Sequence, residues 1–335
     1  MFDGKTILIT GGTGSLGNVL TRKLLEQNVD KIRIFSRNES KQIEMESELN
    51  DKRLRFFVGD IRDLNRLSKA VEDVDIVFHA AALKHVPKVE YNPFEAIKTN
   101  VVGSQNVIDA CLRENVERVI CVGTDKAVSP LNTYGATKLL MEKLFVSANN
   151  ALNREKYKTR FIALRYGNVL GSSGSVVPKF IEQIKNKMKI TITDPKMTRF
   201  SITMNEAVSF ILKATEIGRG SEIFIPKLKA YSISTVRDAL FEILGNTGEE
   251  IIGLRPGEKL QETLINSDEL RYTWEFNNMK MIINPFYSMF NEKSIEDVYP
   301  GVQKDINTKT YSSDNVDEIS KQELIELIKK SNLVE

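Results

Sequence analysis

Cysteine and histidine are almost missing from this chain: there are two of each in 335 residues. Cys111 and Cys121 lie in apolar stretches ("IDACLREN", "RVICVGT"), which excludes a disulfide framework and predicts buried, reduced thiols. His79 and His85 belong to no HxxxH or CxxC spacing, so no metal site is expected. Neither sign of charge is in excess. Forty-seven Lys and Arg against 45 Asp and Glu leave +2, which argues against a nucleic-acid binder and against an acidic tail. No apolar run is long enough to span a membrane, and the N-terminus enters "KTILITGG" without a basic leader or cleavage site. The expectation is a cytoplasmic protein with no membrane or nucleic-acid partner.

What is present is a globular composition, 41% hydrophobic and 27% charged, long enough for one large α/β domain with a smaller lobe or for two ordinary domains. The first 165 residues alternate two periods. Short β-branched runs at 6–10, 31–35, 54–59, 74–81, 117–123 and 160–165 read as buried parallel strands. Amphipathic stretches near 15–27, 38–50, 63–72, 92–114 and 131–150 read as the helices between them. Strict alternation predicts a Rossmann-type, doubly wound parallel sheet over residues 1–165. From 166 to 285 the alternation loosens. Loops such as "GNVLGSSGSVVP" mix with helices near 176–188, 203–217 and 232–245, as expected of a smaller α/β substrate-binding lobe, some of whose segments return to the first domain. Residues 286–335 read as a polar extension ending in the amphipathic "SKQELIELIKK".

"ILITGGTGSLGNVL" ends the first strand and opens the first helix. Gly12, Gly14 and Gly17 fit GxGxxG, while Gly11, Gly14 and Gly17 fit GxxGxxG. In either register glycine permits a tight turn and close approach of backbone amides to a pyrophosphate at a helix N-terminus. Thr13, Ser15 and Leu16 complete that turn. The second strand ends in "IFSRNESK", without the acidic residue that would bind the ribose 2′-hydroxyl of NAD. Ser36, Arg37 and Lys41 suit a 2′-phosphate instead, so NADP is the expected cofactor, unless Arg37 is merely a solvated loop charge. Asp60 and Ile61 after the third strand are placed to meet the adenine, or Asp60 caps the following helix. Ala80, Ala81 and Ala82, at the end of the fourth strand, complete the expected cofactor wall.

"GTDKAVSPLNTYGATK" follows the fifth strand. Tyr134 and Lys138, four apart on a helix, share a face, where an ammonium would lower the phenol pKa and reach a cofactor ribose. Such a tyrosine takes a proton from a sugar hydroxyl as hydride leaves the same carbon. Together with the glycine turn, this pair resembles the extended, nucleotide-sugar-modifying short-chain dehydrogenase/reductases. Thr124 matches that family's hydroxyl at the reacting carbon.

A narrower resemblance rests on "HAAALKHVPKVEYNP", "TNVVGSQNV", "TDKAVSPLNTYGATK", "RYGNVLGSSGSVVP", "TDPKMTRFSIT" and "LRPGEKLQE". From about residue 3 to 285 the chain is similar to UDP-N-acetylglucosamine 4,6-dehydratases of the 5-inverting type. The resemblance implies a hydro-lyase that oxidises sugar C4, eliminates water across C5 and C6, and returns the hydride to C6, yielding an L-arabino 4-keto sugar for pseudaminic acid or related surface glycans. Retaining relatives carry Asp-Glu after the threonine where this chain has Asp125-Lys126. By resemblance Asp125 is the acid and Lys126 the base, which requires a neutral Lys126. Lys84, Asn168, Val176, Arg199, Arg255 and Glu258 are the expected UDP-GlcNAc contacts, with arginine forks suited to the diphosphate. His79 is expected to be a packed strand-end residue. The family resemblance also implies a homo-oligomer, dimer or hexamer. The alternatives are a retaining dehydratase or C4-epimerase, or, in a different class, an inactive NADP-binding regulatory protein.

Overall fold

Continuous β-branched runs place six parallel strands in the first half of the chain. The structure, a computed structural model, describes residues 1–150, 152–153, 155–172, 174–290, 293–306 and 309–334. Strands β1 (Thr6–Thr10), β2 (Lys31–Ser36), β3 (Leu54–Val58), β4 (Ile76–His79), β5 (Arg118–Val122) and β6 (Arg160–Leu164) lie in the order β3-β2-β1-β4-β5-β6. All these pairings are parallel. Between β1 and β4 the winding reverses, which opens a crevice beyond the strand C-termini, the usual ligand position in such sheets.

Side chains of β1 alternate between two cores. Ile7 and Ile9 join Leu20 and Leu24 of helix α1 (Ser15–Leu25) and Val208 and Ile211 of the Met204–Ile217 helix. Leu8 joins Val107, Met141 and Phe145 on the opposite face, from the helices Gly103–Arg113 and Thr133–Ala148. The period of two therefore seats both helical layers, each buried Leu or Ile contributing roughly 1.5–3 kcal/mol.

Beyond β6 the sheet continues through Glu222–Pro226, parallel to β6, and then Met279–Ile283, Thr273–Phe276 and Gln303–Lys304, all antiparallel. Residues 166–285 are thus divided: some strands return to the main sheet, while others build a lobe with its own core. Val177 and Phe180 of the Val176–Lys185 helix pack there with Val236 and Leu240 of Ile233–Leu244 and with Leu324 and Ile328 of Lys321–Lys330. The C-terminal helix expected from "SKQELIELIKK" is therefore a structural part of that lobe.

The single helix expected over 92–114 is broken. Val86–Tyr91 ends at Asn92, Pro93 begins a new turn at Pro93–Ala96, and a π-helical segment, Ile97–Val102, leads into Gly103–Arg113. Proline without an N–H starts a helix readily but cannot continue one. The π segment carries the fully buried Asn100, which accepts from Leu83 N at 2.8 Å and donates to Leu83 O at 2.9 Å and Thr137 Oγ1 at 3.0 Å. One inserted residue thereby ties the loop after β4 to the Tyr134 helix.

Candidate active site

Both opening glycines of the turn are confined, a Cβ on Gly12 lying 2.8 Å from Ile34 Cγ2. Gly11 has φ +69°, and a Cβ there would lie 2.8 Å from Ala81 N, so the turn closes against the loop after β4 only with glycine. Gly14 begins α1 with no side-chain cap, which leaves the first amides of the helix for a ligand. Arg37 is more than half exposed and Lys41 is exposed, both on the cavity rim, whereas the buried Ser36 hydroxyl accepts from Gln42 Nε2 at 2.9 Å. These residues suit a dinucleotide with a free cationic rim.

Asp60 does not cap the next helix. Asp63 does, accepting from Arg66 N at 3.0 Å, in front of the Leu64–Val71 helix. Asp60 accepts from Arg62 N at 2.9 Å and pairs with the Arg62 guanidinium at 2.7 Å, with Arg37 3.7 Å away. Burial would raise its pKa, but these arginine contacts hold it below the ordinary value. Ile61 is buried at the cavity wall beside it.

One cavity of about 1000 Å³ runs from the glycine turn to the small lobe. Every residue expected to touch cofactor or substrate lines it, except Asp125. Asp125 is fully buried behind Thr124 and Lys126, with Thr124 Oγ1 donating to its Oδ1 at 2.9 Å.

The Thr133–Ala148 helix is capped by Asn132, which accepts from Gly135 N at 2.8 Å. A Cβ on Gly135 would meet Lys126 O at 2.3 Å, so glycine there lets this helix sit directly on the Asp125–Ala127 turn. Tyr134 and Lys138 both face the cavity and are buried. Lys138 Nζ donates to Val122 O at 2.7 Å and to Met141 Sδ at 3.3 Å, and burial lowers its pKa to about 8. Tyr134 departs from expectation. Burial pushes its phenol up to about 12, and the cation drawing it back down is Lys126, aided by the Thr124 hydroxyl, not Lys138.

Lys126 also departs from expectation. Its Nζ donates to Asp125 Oδ1 and to Asn168 Oδ1, each at 3.1 Å, and Glu262 Oε1 is 3.5 Å away. Burial would lower its pKa, but the two carboxylates outweigh burial and raise it well above the ordinary lysine value. Lys126 is an ammonium here, not the neutral amine a base requires. Glu262 went unnoticed as a site residue in the sequence because "EKLQE" reads as an exposed charged run, whereas its carboxylate is almost fully buried.

On the substrate side, Arg199 Nη1 donates to Thr198 O and Leu260 O, and Nη2 to Lys259 O, so most of its fork organises the loop after Arg255. Arg255, half-exposed and 3.9 Å from Glu258, is the freer cation. Lys84 is exposed, while Asn168 and Val176 are partly buried. His79 is packed: Nδ1 is 2.8 Å from Thr10 Oγ1, Nε2 is 3.0 Å from Ser104 Oγ, and its ring stacks on Phe145.

A doubly wound sheet with a glycine turn, a threonine at the end of β5 and a Tyr/Lys pair on the next helix defines the class: an extended short-chain dehydrogenase/reductase. The family profile described as "Polysaccharide biosynthesis protein" matches residues 7–284, and the chain belongs to that family. A protein of Campylobacter jejuni subsp. jejuni serotype O:23/36 named UDP-N-acetylglucosamine 4,6-dehydratase (inverting) is 48% identical over 334 residues, 98% of either chain. A Rickettsia felis protein named UDP-glucose 4-epimerase is 46% identical over 275 residues, covering 81% of this chain and 80% of that one. The X-ray structure of Pen from Bacillus thuringiensis superposes with a TM-score of 0.91 at 39% identity, covering 100% of both chains. Among the described residues no helix is long and apolar enough to cross a membrane, and no group of three or more His, Cys, Asp or Glu is placed to hold a metal ion.

Proposed function

We propose that the chain is an NADP-dependent UDP-N-acetylglucosamine 4,6-dehydratase that inverts C5. The observation that carries this reading is the Asp125–Lys126 ion pair at 3.1 Å, set beside Tyr134 on one cavity. The name of the Campylobacter jejuni relative supports it. A bound nicotinamide supplies the acceptor and later the donor of one hydride. Arg37 and Lys41, at the rim beyond β2, favour the 2′-phosphate of NADP over NAD.

Tyr134 and Thr124 meet the C4 hydroxyl; the phenol first releases its own proton to solvent, and its oxygen then receives the C4 hydroxyl proton. Lys126 is the cation that favours this ionisation. Oxidation at C4 acidifies the C5 proton. A proton passing from Lys126 Nζ to Asp125 Oδ1, across a contact already made, creates the amine base and the carboxylic acid in one step. The amine then removes the C5 proton. The Asp125 proton leaves with the C6 hydroxyl as water, by way of Thr124, whose hydroxyl bridges Asp125 and the cavity. A solvent proton delivered to C5 from the opposite face inverts that centre, and Tyr134 releases the C4 proton to solvent, which restores the phenolate. Ile97, Val102 and Leu140, exposed on adjoining helices, support assembly as a homo-oligomer.

Incubation with UDP-GlcNAc and NADP+ in D2O, followed by proton NMR, tests the reading. The expected product is a 6-deoxy-4-keto sugar of L-arabino configuration with deuterium at C5. A D-xylo product removes the inversion. The Rickettsia felis relative favours a second reading, a C4-epimerase; a 4-epimer without any 6-deoxy-4-keto sugar would establish that reading instead.

A further inference from the structure

Glu262 belongs to neither pair that the proposed reaction uses, yet it touches both of the site's inner cations. Its Oε1 lies 3.5 Å from Lys126 Nζ and 3.8 Å from Arg199 Nε. Its other oxygen, Oε2, is buried without a hydrogen-bond partner among the described residues, as is Asp125 Oδ2. A carboxylate left half-satisfied at the wall of a cavity is costly to keep for packing alone.

The backbone of Glu262 is held from a distant part of the chain. Glu262 N donates to Ser313 Oγ at 3.0 Å, and Ser313 N donates back to Glu262 O at 2.8 Å. The Ser313 hydroxyl is within 2.7 Å of Thr198 Oγ1, which ties the clamp to the strand carrying Arg199. Strand Tyr311–Ser312 pairs with Thr263–Ile265, directly after Glu262. The C-terminal extension, in which the sequence shows no motif, therefore fixes this carboxylate in place.

We propose that Glu262 is a positioning residue that holds the Lys126 ammonium between Asp125 and Asn168 and opposes the passage of its proton to Asp125. The charged and titratable groups facing Lys126 are Asp125 beside it, Glu262, Arg199, Lys259, and the phenols of Tyr134 and Tyr231. Only Asp125 and Glu262 favour its charged form, and Asp125 is the partner that takes its proton. Glu262 is thus the second carboxylate held against Lys126. The inference rests on the dehydratase reading for its meaning in turnover, though not for the charge it assigns to Lys126.

The test compares wild type, Glu262→Gln and Glu262→Asp in two measurements. The first is the rate of Lys126 amidination by methyl acetimidate at pH 9, read by peptide mass spectrometry against exposed Lys213. The reagent attacks only the neutral amine. Loss of an anion within 4 Å lowers a lysine pKa by about one unit or more, so Lys126 in Glu262→Gln should react about tenfold faster. Glu262→Asp, with its charge withdrawn by one methylene, should fall between. The second splits 4-keto sugar formation into kcat and KM: proton passage from Lys126 to Asp125 is a step after binding, so Glu262→Gln should change kcat and leave KM within about twofold. A rate within twofold of wild type in Glu262→Gln overturns the proposal. So does a loss of turnover carried by KM with kcat unmoved, the mark of a structural role. If Glu262→Gln does not fold, an unchanged rate in Glu262→Asp overturns it equally. Absence of any 4-keto product from wild type removes the dehydratase reading, while the amidination rates still decide this one.

Discussion

Replacing Lys126 with alanine strips one cation from two buried carboxylates. Asp125 is fully buried and the Glu262 side chain is only 4% exposed, with Lys126 Nζ at 3.1 and 3.5 Å. At an effective dielectric near 20, each contact is worth about 5 kcal/mol of gross Coulomb attraction, most of it offset by desolvation. Removing one partner of a buried pair costs about 3–5 kcal/mol. The Lys126 side chain is 27% exposed, so screening reduces the expected loss to about 2–3 kcal/mol, or roughly 3–4 °C in Tm. The pH dependence separates this cause from simple loss of packing. In wild type the pKa of Lys126 is raised, so its contribution is complete below the unfolded value of 10.5 and is lost only as pH rises through the folded one. Between pH 5 and 8 that contribution is constant. Any trend in the variant's deficit then belongs to carboxylates deprived of a cation, which are relieved by taking up protons. Differential scanning fluorimetry should show a full deficit at pH 8 and less than half of it at pH 5, while 4-keto sugar formation falls about 10²–10⁴-fold. An equal deficit at both pH values, or full activity, refutes the reasoning.

Arg37→Ala should weaken NADP+ binding about 10- to 100-fold, the worth of one or two charge-assisted hydrogen bonds, and leave NAD+ binding unchanged; calorimetric titration with both nucleotides checks this, and equal losses would falsify the assignment of the 2′-phosphate to Arg37. His79 is held at a pKa of about 3 by burial, with Lys138 adding to the effect. A base whose folded pKa is depressed contributes stability above its unfolded value near 6.5 and loses it as pH falls toward 3. The Tm of wild type should therefore drop more steeply between pH 6.5 and 4 than that of His79→Gln, and parallel slopes would show that His79 is not buried neutral.

Much of this was legible in the primary structure. The strand runs match β1 to β6 to within one or two residues at each end, because buried parallel strands need continuous β-branched stretches and little else. The expected site residues converge on one cavity because the switch point of the sheet gathers the loops after β1, β2, β4 and β5. The helix expected at 92–114 failed because amphipathic periodicity does not register a π turn or a restart at proline.

By itself the sequence determined the fold class, the glycine turn, the Tyr134–Lys138 pair and the Asp125–Lys126 dipeptide, since each is a local pattern of a few residues. Tertiary structure alone decided the charge on these groups. Lys126 is kept an ammonium by Asp125 beside it together with Glu262, 136 positions away, and Glu262 is clamped by Ser313 from the extension. Tyr134 owes its raised pKa to burial, and the cation opposing it is the lysine across the turn rather than the one on its own helix. Proton affinity depends on distance and desolvation in space, and neither is written in spacing along the chain.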